Sequence, residues 1–542
     1  HKPLSNRYFQ IFVIYLDVIF KCTILLVGLS LFASCDNKDS MELSCPESAS
    51  FYEISSAELT YAIVGEQIPN PLSLDIVKDA FSQLDYKTRA GYSAEDIVAT
   101  HHYVAFKPGN DDEFCCIKAT DDIDLFSYPL DYEVSDGFVV PDQRFMTGEF
   151  PYQWAYVPVE YDLSAIKCPY DILYDIWSPE TGTKSSEQFP EFLNAAIEEK
   201  AYELCGQPLE KVMETKAGKV TPSGRVVFYD KDSGTYRGVE GLSIKTARAT
   251  HSSYTHCDRN GYFVSSDSFR YAFTYEIHFS RTDFEIRENG TKTEVIYKYS
   301  NYKGSLDKSY ADSESCFYAN ISRAAIVYYY GNIYGLRRPP MRSDKSYRLV
   351  IQAQNSSNGN VAGSHYVKDN WIFPDRPIVK IYKLRSNNSE RPTWLIHATM
   401  IHELAHASHW RSNSKFDETS TELVESFAMG VEWFLSKNEY QSYIPDYTRQ
   451  SYTGIIQDLI DGYGYKYSVY SATWINGEYL QNQGSAELGY YDKVTGFTAP
   501  ELEEMVRSST SWNEFQSRVL SSPKAEGQQQ AISESFTYWM KY

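Results

Sequence analysis

The sequence predicts a multidomain α+β protein: an N-terminal α+β region, a β-rich middle and a mainly helical C-terminal region. Three observations carry this. At 542 residues the chain exceeds what one hydrophobic core usually supports, so it divides into several units. Between Gly218 and Glu288, short alternating or β-branched runs are punctuated by turn residues, as in packed antiparallel sheets. After Arg391, apolar residues recur at helical spacing in one segment after another. The division that follows is 1–35, 36–210, 211–300 and 301–542.

The first unit reads as a targeting segment. Thr23 to Ala33 is apolar, follows Lys21 and ends in Leu31-Phe32-Ala33-Ser34-Cys35. It is too short for the roughly 20 residues of a membrane span, although Ile11 to Phe20 adds a second apolar block. Small residues ahead of Cys35 resemble a bacterial lipoprotein signal, with Phe32 departing from the usual Leu. The resemblance implies cleavage before Cys35 and its lipidation. Asp36-Asn37-Lys38-Asp39 resembles the acidic export tag of surface lipoproteins in the Bacteroidota. The implied location is the outer membrane or cell surface, lipid-anchored.

Residues 36–210 begin with a polar tether. Leu72 to Leu84 and Pro190 to Leu204 are expected helices, the second closed by Gly206, and His102 to Phe106 alternates as a strand. His101 and His102 lack metal-ligand spacing. In 211–300, strands are expected at Arg225–Tyr229, Leu242–Lys245, Gly261–Val264 and Tyr271–Phe279. Asp258-Arg259-Asn260-Gly261-Tyr262-Phe263 resembles the turn motif of transthyretin-like modules, which implies a small β-sandwich. Asp258 and Asn260 serve the turn rather than calcium, since the other ligands of a calcium loop are missing.

Within 301–542, Pro377–Tyr382 reads as a strand, and Ser389 to Pro392 opens a helix that runs without Gly or Pro through Arg411. That helix carries His402-Glu403-Leu404-Ala405-His406, the HExxH pattern. Residues four apart project from one helix face one turn apart, so His402 and His406 can reach the same cation. Glu403, about 100° further around, stands beside the cation, where it can take a proton from water. A catalytic zinc needs a third protein ligand and one open position. A Gly and a third His following at three-residue steps would extend the motif, but His409 and Ser412 occupy those places. Glu425 is the better candidate. Thr419 to Glu422 reads as a capping box, which accounts for Glu422, and Glu418 sits at the solvated helix start. Leu423, Phe427, Val431 and Phe434 continue the helix, and Gly430 allows a close neighbour. His409 and His397 read as packing residues.

HExxH, eighteen intervening residues and then Glu425-Ser426-Phe427-Ala428 resembles the gluzincin metallopeptidases, in particular the aminopeptidase N-like branch. The resemblance covers the stretch from Ile378 to Phe434. It implies a zincin-like catalytic domain with Zn2+ held by His402, His406 and Glu425, and Glu403 as general base. It also implies a peptide or protein substrate, and a strand near 377–382 lining the cleft. Tyr443, Tyr447 and Tyr452 are candidates to stabilise the oxyanion. The sequence has no Gly-x-Met-Glu-Asn segment to hold a substrate's free amine, so endo- and aminopeptidase both stay open. The competing class is a surface lipoprotein that binds host protein or glycan through its β modules and carries an inactive zincin-like domain.

A net charge of −21 argues against nucleic acid and against electrostatic docking on anionic lipid. Nine Cys, with Cys22 and Cys35 in the targeting segment, leave an odd number and no CxxC, which argues against a dense disulfide framework.

Overall fold

The computed structural model describes residues 60–540 apart from residues 121, 180–188, 213–217, 346–347, 360, 369–375, 442, 444, 463, 465–467, 471, 476–477, 482–486 and 489–490. The targeting segment and Cys35 lie outside the described residues. The chain is α+β.

In the N-terminal region, strand His101–Phe106 is flanked by antiparallel Gln153–Pro158 and Tyr170–Ile176. Helices Leu74–Gln83 and Glu191–Leu204 pack together through Val77, Phe81, Leu193 and Ile197, with Trp177 completing the cluster. Gly206 takes φ +70°, the left-handed turn that ends the second helix. His102 bonds Asp175 through Nδ1 at 2.8 Å, which explains it without a metal.

The middle is built from two sheets. One has six strands in the order Tyr61–Ala62, Gly137–Val139, Ile296–Tyr302, Phe273–His278, Ser243–Arg248 and His251–His256. The other joins Thr235–Gly238, Ser223–Asp230 and Tyr262–Val264, with Leu306–Tyr310 parallel to Ser223–Asp230. Strand pairing therefore crosses residues 210/211 and 300/301: tertiary partners come from sequence on both sides of each expected boundary. The Asp258 turn is as read, its Oδ1 accepting from the Asn260 and Tyr262 amides at 2.8 and 2.9 Å.

A third sheet positions the histidine helix. Strands Phe284–Glu288, Leu349–Ser357 and Arg376–Leu384 run parallel, and Gly363–Lys368 pairs antiparallel with the last. Parallel neighbours need a long crossover, and the first of these carries helix Ser313–Tyr330. Helix Thr393–Ser412 packs against both that helix and the sheet. Its residues Leu395 to His409 are all buried, so the helix is covered on every side, as expected of a central rather than a surface helix. The cleft-side assignment of the strand near 377–382 needs correction. That strand is interior, and the sheet edges among the described residues are Phe284–Glu288 and Gly363–Lys368.

Helix Thr421–Ser436 lies alongside, followed by Ile455–Ile460, Ala499–Arg507, Trp512–Leu520 and Gln529–Trp539. The expected cap also shifts by one residue. Ser420 is the N-cap, while the Thr419 hydroxyl turns back to donate to the Lys415 carbonyl at 3.0 Å. The preceding turn competes for that hydroxyl, so the capping box does not form. Gly430 does what was expected of it: a Cβ there would stand 2.3 Å from Ile456 Cγ2, so only glycine permits this approach. By contrast, the Thr498/Glu501 capping box is present. One continuous core runs from Phe138 in the β region through Tyr318 and Met400 to Trp539. Among the described residues Cys116, Cys168, Cys205, Cys257 and Cys316 are free thiols. No described helix is long and apolar enough to cross a membrane.

Candidate metal centre

Helix periodicity places His402 and His406 one turn apart, and their Nε2 atoms converge to 3.0 Å. Glu425, from the neighbouring helix, brings Oε2 to 3.2 Å from His402 Nε2 and 3.4 Å from His406 Nε2. All three residues are buried. Ligand atoms at about 2.0–2.1 Å from a tetrahedral zinc stand roughly 3.3–3.4 Å apart, so this spacing fits one small cation. Three electron-pair donors do not gather in a protein interior without a shared positive charge. Burial opposes charging His402, but the hydrogen bonds that Glu425 and Glu432 accept from it outweigh burial and hold its pKa up at about 10. Burial lowers His406 despite Glu425, whereas Glu425 is lowered because the two imidazoles overcome its burial.

Glu403, on the same helix, lies within electrostatic reach of His402, Glu425 and Glu432. Both its carboxylate oxygens are buried without a hydrogen-bond partner. Burial, with Glu425 and Glu432 adding like charge, raises its pKa well above the usual carboxylate range. An unsatisfied buried carboxyl costs stability, and such groups concentrate at functional sites.

The sequence reading missed three residues. Glu432 lies two turns beyond Glu425 on the same helix face. Its Oε2 accepts from His402 Nδ1 at 2.8 Å, and its Oε1 accepts from the Tyr443 hydroxyl. The Nδ1 contact with Glu432 turns Nε2 toward Glu425 and His406, the side on which a metal would take its lone pair. The seven-residue step from Glu425 was the available signal. Gly363, on the edge strand, is the second. A Cβ there would lie 2.8 Å from Glu403 Oε1 and 2.6 Å from Thr399 Cγ2, so the strand can approach Glu403 only as glycine. The third is His365, two residues on. It is buried with Nε2 unpartnered, and its ring stacks at 6.3 Å on His406. Burial, with His406 beside it, pushes its pKa down to about 3. No local pattern marks Gly363 or His365.

The remaining candidates separate cleanly. His409 packs edge-on against Phe416 and Phe427 and bonds Asn413 at 3.2 Å. His397 is buried against Tyr440. Tyr443 is engaged by Glu432, and the Tyr447 hydroxyl donates to Gln457 at 2.6 Å. Tyr452 alone of the three tyrosines sets its ring beside His402, at 6.3 Å.

The arrangement defines a class: a buried His/His/Glu group able to hold a metal ion, on two packed helices beside a mixed sheet. Comparison with protein-family models, curated proteins and solved structures returns no match to this chain.

Proposed function

We propose that this chain is a zinc metallopeptidase of gluzincin type, and that Cys35 anchors it by lipid to the outer membrane or cell surface. The observation that carries the reading is the convergence of His402, His406 and Glu425 beside the unpartnered Glu403 carboxyl. A binding protein has no use for Glu403 in that position, whereas hydrolysis requires a base there. In this reading residues 301–542 supply the zincin-like domain and 211–300 a transthyretin-like β-sandwich.

His402, His406 and Glu425 would hold the metal. A bound zinc ion would polarise a peptide carbonyl, acidify the attacking water and draw the raised Glu403 carboxyl back to its ionised form. Glu403 takes one proton from the water as its oxygen bonds to the carbonyl carbon. Glu403 then returns that proton to the amide nitrogen, the C–N bond breaks, and the second proton of the water passes to the leaving amine, so that a carboxylate and an ammonium are released. Glu432 fixes the His402 tautomer throughout. Gly363 brings the edge strand against Glu403, where an extended peptide can pair with it as an added strand.

The test combines metal content with cleavage of a peptide library. The parent should carry about one zinc per chain and cut peptides. Glu403→Gln should keep the zinc and lose turnover, and His402→Ala should lose both. Undiminished turnover in Glu403→Gln, or freshly purified parent without metal, would overturn the reading. Palmitate labelling abolished by Cys35→Ala tests the anchor.

A further inference from the structure

A second polar recess lies away from the histidine group, where the β region meets helix Ser313–Tyr330. It is a cleft of about 680 Å³ whose wall includes Arg225, Arg237, Arg259, Arg281 and Arg323. The volume falls in the range of about 300–1,000 Å³ typical of small-molecule sites. The five arginines come from two strands of one hairpin, the Asp258 turn, the segment after Phe273–His278 and the helix. Five guanidiniums face two carboxylates, Glu240 and Glu439, in a chain whose net charge is −21.

Such a concentration of like charge is unfavourable unless something offsets it. Internal partners do so only in part. Arg323 pairs with Glu439 at 3.0 Å, and Arg237 with Asp230 behind the wall at 3.2 Å. Arg225 donates to the Asn260 carbonyl at 3.0 Å and lies over the Tyr262 ring. Arg281 donates to the Gly241 carbonyl and stacks 4.5 Å from the Tyr330 ring centre. Among the described residues Arg259 makes no hydrogen bond or ion pair. Arg237 and Arg323 also lie over the Tyr440 ring, yet a guanidinium carries five N–H donors and these contacts use a minority of them, which leaves N–H groups for a ligand. The C-terminal carbonyls of helix Ser313–Tyr330 would oppose an anion, but Arg338 covers those of Tyr328 and Tyr329. Burial, with Arg281 nearby, lowers the pKa of His256 in the same wall, in keeping with a positive field.

We propose that this cleft binds a compact, multiply charged oxyanion: a phosphate or sulfate ester group on a small molecule or a sugar. The planar guanidinium fork matches the paired oxygens of such groups. A pocket of this size admits the group with its carrier, and Tyr236 and Tyr330 offer the carrier an aromatic surface. The inference is independent of the metal centre.

Calorimetric titration of the full chain with inorganic pyrophosphate, and separately with a sulfated disaccharide, tests it. Saturable one-to-one binding of either probe is expected, weakening several-fold between 50 and 200 mM salt. Tighter pyrophosphate binding identifies a phosphorylated small molecule as the ligand, and tighter disaccharide binding a sulfated sugar. Arg225 and Arg259 are exposed, so Arg225→Gln/Arg259→Gln should fold, keep its metal content and bind at least tenfold more weakly. Arg259→Glu alone should give a similar loss. Failure of both probes to bind at millimolar concentration, or parental binding by both variants, would overturn the proposal.

Discussion

Glu432 offers the most direct test of how the candidate metal centre is built. Its carboxylate stands 2.8 Å from His402 Nδ1, and neither side chain has any exposed surface. In that environment the hydrogen bond selects one imidazole tautomer and one ring orientation. Removing partners of this kind from a metal-bound histidine costs about 10–100-fold in affinity, or roughly 1.4–2.8 kcal/mol. Glu432→Gln keeps an acceptor of the same shape but loses the charge, so its loss should lie near tenfold. Glu432→Ala also strands the His402 N–H and the Tyr443 hydroxyl in a dry interior, so its loss should approach a hundredfold. Metal-stripped protein titrated with zinc against a chromophoric chelator measures both, and thermal melts of the stripped proteins report folding. Zinc affinity within twofold of the parent in both variants, with unchanged melts, would show that Glu432 does not orient His402.

Three further outcomes are expected. Gly363→Ala should retain zinc and lose most peptide hydrolysis, because its Cβ would meet Glu403 Oε1 at 2.8 Å; paired metal and turnover assays check this. Gly430→Ala should destabilise the fold by about 1–3 kcal/mol through overpacking, since its Cβ would lie 2.3 Å from Ile456 Cγ2; a lowered melting temperature, restored in part by Ile456→Ala, is the readout. Burial disfavours the charge on Glu276, but Lys245, His278 and Tyr128 more than compensate, lowering its pKa from 4.5 to about 2. A depressed carboxylate contributes stability above its unfolded pKa and loses it as pH falls through the folded value. About 3 kcal/mol should therefore disappear between pH 4.5 and 2. Denaturant melts should show that loss in the parent and a flatter acid limb in Glu276→Gln.

The elements legible in the sequence were those whose signals are local. Strands His101–Phe106 and Ser223–Asp230 and helix Ile455–Ile460 announce themselves by alternation or helical period. Periodicity also brought Glu425 into view, because a residue early in a helix after a fixed linker has few places to point. The cap at Ser420 was misread by one residue, as the Thr419 hydroxyl has a competing carbonyl that sequence does not display. Sheet partners were harder. Residues 61–62 and 137–139 join strands beyond residue 240, and pairing across such separations leaves no local trace.

The convergence of His402 and His406 thus follows from the sequence: four residues along one helix bring two imidazoles onto one face, whatever the rest of the chain does. Tertiary structure alone decided that Glu432 would orient His402, that Gly363 would lie against Glu403, and that five scattered arginines would share one cleft. Side-chain periodicity is an intrinsic property of a helix, while contacts between elements depend on how their surfaces pack, which no single segment encodes.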